Sequence, residues 1–229
     1  SAFGGSMMLF PHGFYTDAAD NVGVTDSRIA GGRGGQVLKF SPDGKLLMTL
    51  GSKGVAGDGP SQFSEPNAVI VAKDGSIFVA DGHTPGNARI VKFGADGRFL
   101  TAFGGHGRGP GQLEVPHALA LDSKGRLFVA DRWNNRVSIF SANGGFITSW
   151  TQFGRPSGVF IDSHDTLYST DSESRAPVGY GYNPGWKRGI RIGSARTGRV
   201  KAFIPDSDPE PDKGATSGGE GLWVDGQGV

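Results

Sequence analysis

In four related segments of this chain an aspartate follows a variable position by fourteen residues, and that fixed interval constrains the fold more than any other feature. The pairs are His12 with Asp26, Asn67 with Asp81, His117 with Asp131, and Ser157 with Asp171. Each variable residue opens a frame of Pro-x-small-apolar-x-apolar type that closes on an Asp-Gly-like turn, as in PNAVIVAKDG (66–75), PHALALDSKG (116–125) and PSGVFIDSHD (156–165). PHGFYTD (11–17) begins the series, and GEGLWVDGQG (219–228) adds a fifth frame with Glu220 at the variable point. Self-similarity of this kind marks a repeat architecture.

Within a repeat the apolar residues alternate with period two. Residues 67–104 predict four strands: AVIVA, a turn at Lys73-Asp74-Gly75, IFVAD, RIVKF, a turn at Asp96-Gly97, and RFLTAFG. The same series runs through 12–51 and 117–150. A looser version covers 157–203, where an insertion rich in Gly, Pro and Tyr (174–186) intervenes. Four antiparallel strands in roughly 40–50 residues make a propeller blade. The expectation is an all-β chain, a single β-propeller domain with complete blades near 12–51, 67–104, 117–150 and 157–203 and partial blades at 1–11 and 220–229. Six blades are expected in the intact protein, so the chain reads as a fragment of it. Forty glycines and 13 prolines among 229 residues suit the many tight turns this requires.

Charge excludes some partners. The formal net charge is +1, with Lys and Arg scattered among acids, so neither a nucleic-acid footprint nor a membrane-surface patch is indicated. The apolar runs are too short for a bilayer-spanning helix. With no cysteine, neither disulfides nor thiolate metal sites enter.

If the first strand of each blade is innermost, the second returns antiparallel and ends at the same rim. His12, His117 and Glu220, from alternate blades, would then converge on the central channel, with Arg132 and His83 on the wall around them. A His, His, Glu set suits a divalent cation with open positions: zinc, iron or manganese. The aspartates at the fixed interval are expected to be structural, accepting hydrogen bonds from N–H groups of the following turn. Trp133, Trp150, Trp186 and Trp223 are expected to pack the blades, and His106 and His164 to lie in solvated turns.

PHGFYTDAADNVGVTD (11–26), FSEPNAVIVAKDGSIFVADG (63–82) and VPHALALDSKGRLFVADRWNNRVSIF (115–140) resemble the NHL-type repeats of the peptidyl-α-hydroxyglycine α-amidating lyase family, most closely its bacterial branch. That resemblance implies a six-bladed propeller cleaving a carbinolamide into a peptide amide and glyoxylate, with a channel zinc and a supporting calcium, in an extracytoplasmic or secreted setting. It assigns His12 and His117 to the first two zinc ligands and puts Glu220 where the family has a third histidine. Arg132 falls on a substrate-binding arginine, and His83 on the tyrosine proposed as catalytic base, so that His83 serves as base, as a further metal ligand, or as a loop residue. The Phe14 carbonyl would face calcium, while the family carboxylate beside the third ligand is Gly221 here. Asn67, at the variable point of blade two, is a further substrate-binding candidate. Two alternatives stay open. One is a non-catalytic NHL scaffold whose rim loops, 52–62 and 172–187, bind a protein partner. The other is a calcium-dependent lactonase-like hydrolase in which Glu220 and Asn67 are ligands.

Overall fold

The structure, a computed structural model, describes residues 4–83, 87–208 and 219–225. The ends of both partial blades (1–3 and 226–229) and part of the loop after His83 (84–86) lie outside the described residues. What is described is all-β, with one short 3-10 turn at Arg132–Asn134. Sixteen strands form four antiparallel sheets, each a meander whose spatial order follows the sequence. The first holds β1 (Pro11–Thr16), β2 (Val22–Ala30), β3 (Arg33–Phe40) and β4 (Leu46–Leu50), and the second β5 (Pro66–Val71), β6 (Ile77–Asp81), β7 (Arg89–Phe93) and β8 (Phe99–Gly104). The third holds β9 (Pro116–Leu121), β10 (Leu127–Asp131), β11 (Arg136–Phe140) and β12 (Phe146–Trp150), and the fourth β13 (Gly158–Ile161), β14 (Thr166–Asp171), β15 (Gly189–Ser194) and β16 (Val200–Pro205). These are β-propeller blades. The chain divides into two compact units, residues 1–107 with 112–116, and residues 108–111 with 117–229.

Burial explains the sequence pattern strand by strand. The second and third strands of a blade are covered on both faces, so IFVAD, RIVKF and LFVAD are buried throughout. Outer strands are half exposed and alternate or turn polar, as in β4 and β12. In the first unit Val37, Val69, Val79, Val91 and Phe93 make a core plugged by Phe63; in the second, Phe128, Ala130, Val137, Ile139 and Leu167 surround Phe153. Phe63, Leu113 and Phe153 each precede a variable position by four residues, and all three are buried. The first two close GDGPSQF and GRGPGQL, loops pinned by the bridges Ala56↔Phe63 and His106↔Leu113.

Asp81, Asp131 and Asp171 end their second strands, Asp26 lies within β2, and all four are buried, but their donors differ from expectation. Asp26 accepts from the main-chain N–H groups of Leu9 and Phe10, at 2.9 and 2.6 Å. Asp81 accepts from those of Ser64 and Glu65, at 2.8 and 2.9 Å. Those donors precede the first strand rather than follow the second. Antiparallel pairing is the reason, since it sets the aspartate of strand two opposite the residue that opens strand one (Pro11↔Asp26, Pro66↔Asp81). Asp171 uses both sides, taking Arg155 N–H at 3.0 Å and Ser174 N–H at 3.0 Å. Asp131 accepts from the side chains of Asn134, Arg136 and Ser138.

Removing one of these carboxylates strands its partners. Asp81→Ala leaves the buried Arg89 guanidinium, now 3.0 Å from Asp81, without its counter-charge. It is expected to cost about 3–5 kcal/mol, read as a shift in the urea midpoint. A second carboxylate sets a pH dependence. Asp165 is held down to about 2, first by the Ser123 N–H and then by the Ser123 hydroxyl and Arg196, against the opposing effect of burial. A lowered folded-state value means that its stabilisation is complete above the ordinary carboxylate range and is lost as pH falls toward 2. Asp165→Asn is therefore expected to be less stable than the parent at neutral pH, with the gap closing between about pH 4 and pH 2. Denaturant titration across that range checks it.

Candidate active site

In the first unit, β1 carries His12 through an irregularity in its pairing with β2 between Pro11 and Phe14. Nδ1 of the His12 imidazole lies 3.0 Å from the main-chain oxygen of Asn67, the variable residue of the next frame. A carbonyl can only accept, so Nδ1 carries the proton and Nε2 presents the lone pair. Thr25 Oγ1 donates to the same oxygen at 3.2 Å and accepts from Gly13 N–H at 2.8 Å. Only glycine permits this approach, because a Cβ at Gly13 would stand 2.2 Å from the Asn67 oxygen. The His83 ring meets His12 edge-on, with centroids 5.1 Å apart at 74°. Ligand atoms of the two imidazoles lie within 4.8 Å of each other, close enough for both to bind one ion.

In the second unit His117 repeats the arrangement. It is buried, and its Nδ1 donates to the main-chain oxygen of Ser157 at 2.7 Å. Again the variable residue of the following frame supplies the carbonyl, and again Nε2 is left as the acceptor. Glu220 stands to blade four as Asn67 stands to blade one. Its main-chain oxygen accepts from Thr170 Oγ1 at 3.4 Å, Thr170 Oγ1 takes Gly158 N–H at 2.8 Å, and a Cβ at Gly158 would come within 2.5 Å of the Glu220 oxygen. Its side chain, however, turns to Arg132, with Oε1 3.8 Å from Nη1.

Arg132 begins the turn after β10 and is buried. Glu173 Oε1 lies 3.2 Å from its Nη1, and Glu173 Oε2 lies 3.1 Å from Arg155 Nε. The Tyr180 hydroxyl also donates to Glu173. Burial, and then the Glu173 carboxylate, push the Tyr180 hydroxyl up, so it remains a proton donor. The Arg155 guanidinium lies over Trp133 and Tyr180, 5.8 and 5.6 Å from the ring centroids. Glu173, Arg155 and Tyr180 were not among the sequence candidates. Their one sequence signal was the 174–186 insertion, which carries Tyr180 back over the blade.

The remaining candidates are placed as follows. Asn67 is fully buried and structural in its contacts; its Nδ2 donates to the Pro116 carbonyl at 2.8 Å, while Oδ1 has no hydrogen-bond partner among the described residues. Phe14 pairs with Val24 and exposes its ring. His106 Nε2 lies 3.9 Å from Glu114, and His164 is exposed in a turn.

Similarity to known proteins follows the same lines. A family model described as NHL repeat matches residues 113–140, the stretch that contains His117 and Arg132. Over 105 residues the chain is 38% identical to peptidyl-alpha-hydroxyglycine alpha-amidating lyase 1 of Drosophila melanogaster, covering 44% of this chain and 18% of that protein. A probable lyase of the same name from Caenorhabditis elegans is 40% identical over 99 residues, covering 43% and 26%. NHL repeat-containing protein 3 of Homo sapiens is 35% identical over 146 residues, covering 61% and 42%. The chain thus spans less than half the length of these relatives. Among solved structures, a hydrazine synthase from Kuenenia stuttgartiensis superposes with a TM-score of 0.62 at 13% identity, covering 87% of this chain and 50% of that one. A streptogramin B lyase superposes at 0.57 and 14%, covering 87% and 55%. At such identities the likeness is one of fold.

The contact between His83 and His12 separates two roles for His83. As a ligand, His83→Ala is expected to lose bound metal together with activity. As a base it would lose turnover while keeping the metal. Metal analysis of the dialysed variant decides, and the edge-on pair of rings predicts the first result.

Proposed function

We propose that this chain, an NHL-repeat propeller chain similar to the peptidyl-α-hydroxyglycine α-amidating lyases, is a metal-dependent lyase that cleaves a carbinolamide N–C bond to give an amide and glyoxylate. The observation that carries the proposal is the shared state of His12 and His117, each with Nδ1 tied to a main-chain carbonyl and Nε2 prepared as a ligand. Such outer partners fix the tautomer and orientation of metal-binding histidines. His83 beside His12 adds a second imidazole there, and imidazole nitrogen suits zinc. Calcium has weaker support, because its one candidate donor is the Phe14 carbonyl and Gly221 offers no side-chain oxygen; no step depends on it.

A cation at these imidazoles would lower the pKa of a hydroxyl bound to it. The other tasks fall to the chain's own residues. Arg132, held by Glu173, takes the glycine-derived carboxylate and orients the carbinolamide. Buried Asn67 and Ser157 contribute through their carbonyls, which keep the imidazoles aimed. The longer match to NHL repeat-containing protein 3 favours a second reading, a non-catalytic scaffold whose loops at 52–62 and 172–187 meet a protein partner.

Two measurements separate these readings. The lyase is expected to bind close to one equivalent of zinc and to release glyoxylate from a hydroxyglycine-extended peptide; a chain that purifies without transition metal and releases none is the scaffold. His117→Ala is expected to lower turnover by more than the roughly 10–100-fold that loss of an outer partner costs, together with its metal. Full activity in metal-stripped His117→Ala protein would sink the mechanism.

A further inference from the structure

Around Arg132 the charges and the hydrogen bonds do not balance in the same way. Two guanidinium groups, Arg132 and Arg155, each 3% exposed, share one buried carboxylate, Glu173. Arg155 is held elsewhere as well, since its Nη1 donates to the Arg132 carbonyl at 3.1 Å and to Asn135 Oδ1 at 3.2 Å. One positive charge is left to Arg132, in a setting where an uncompensated buried charge is costly. Its Nε is buried and has no hydrogen-bond partner among the described residues. The second carboxylate within ion-pairing range is Glu220, 3.8 Å from Nη1, with its side chain 56% exposed. At that distance it answers the charge without making the hydrogen bond, and it leaves the Nε edge unused. A guanidinium prefers a carboxylate seated on two N–H groups at about 2.7–2.9 Å.

We propose that Arg132 is a binding site for a ligand carboxylate and that Glu220 is its resting occupant, a tethered carboxylate that the ligand displaces. This rests on the reading of Arg132 as the carboxylate-binding residue given above. The tether is built by the main chain. The Glu220 oxygen is held by Thr170 Oγ1 and sits against Gly158, so the backbone stays docked on blade four when the side chain swings away. Glu173 is the positioning residue; with Arg155 and the Tyr180 hydroxyl on the same carboxylate, it holds the guanidinium in place whichever anion is bound. The ligand class is a small carboxylate of the N-acylglycine type, planar at the end that meets the guanidinium. The proposal assigns the Glu220 carboxylate to Arg132 and not to the metal set.

The test is a ligand-observed NMR titration with N-acetylglycine on the zinc-loaded chain, comparing the parent, Glu220→Gln, Arg132→Lys and the double variant, with metal content measured for each. Exposed ion pairs of this kind are worth about 1.5- to 5-fold in an equilibrium. Glu220→Gln is therefore expected to bind N-acetylglycine tighter by about that factor and to keep its zinc, while Arg132→Lys weakens binding in both backgrounds. Unchanged or weaker binding by Glu220→Gln, with Arg132→Lys still weakening it, overturns the tethered occupant and leaves the arginine assignment standing. Loss of zinc in Glu220→Gln overturns the proposal by making Glu220 a ligand. Affinity unaffected by Arg132→Lys overturns both the proposal and the reading it rests on.

Discussion

A buried carboxylate in the second strand, beside the start of the first, organises each repeat. Removing a carboxylate from water is expensive unless it is hydrogen-bonded and paired, and here the bonds that repay that cost are the ones that tie the repeat together. In blades two, three and four an arginine at the start of the third strand shares the work. Arg89 pairs with Asp81, Arg136 with Asp131, and Arg191 with Asp171. Each then spends its remaining N–H groups on loop carbonyls: Gln62, Arg108 and Gly109, and Lys187. Blade one has Gln36 opposite Asp26, and the Gln36 amide donates to the Gly51 carbonyl at 3.4 Å.

This scaffold delivers the variable residues to a defined place. The segment held by the aspartate runs directly into strand one, so the variable residue is positioned at its base. Its side chain is then oriented by the carbonyl of the next frame, as for His12 with Asn67 and His117 with Ser157. Gly13 and Gly158 stand immediately after variable positions and have no Cβ, which lets neighbouring frames come this close. The imidazole tautomer is thus a property of the repeat, and the identity of the residue at the variable point decides what chemistry it can support.

Much of this was legible beforehand. IFVAD and LFVAD are buried on both faces and read as strands at sight, and the fixed interval named the structural aspartates as a class. Their donors were not legible, because a carboxylate near a strand end can turn to the following turn or back to the preceding segment, and strand pairing decides which. Glu173 was missed for a similar reason. It follows Asp171 by two residues and looks like a loop acid, and only the return of the 174–186 insertion puts Tyr180 on it. The repeated Gly-Pro-x-Gln-Phe/Leu loops at 59–63 and 109–113 were visible in the sequence and could have identified Phe63 and Leu113 as plugs.

The sequence by itself determined the blade, its four strands, and the positions at which His12, Asn67, His117, Ser157 and Glu220 stand, because alternation and a constant interval are backbone properties that survive without knowing any side-chain direction. Tertiary structure decided how those side chains are used. Glu220 holds the expected backbone position, yet its carboxylate lies toward Arg132; His83, from a loop with no place in the repeat, lies against His12. A flexible side chain chooses among partners by charge and packing from elements distant in sequence, and a repeat pattern records where a residue is anchored, not where its end goes.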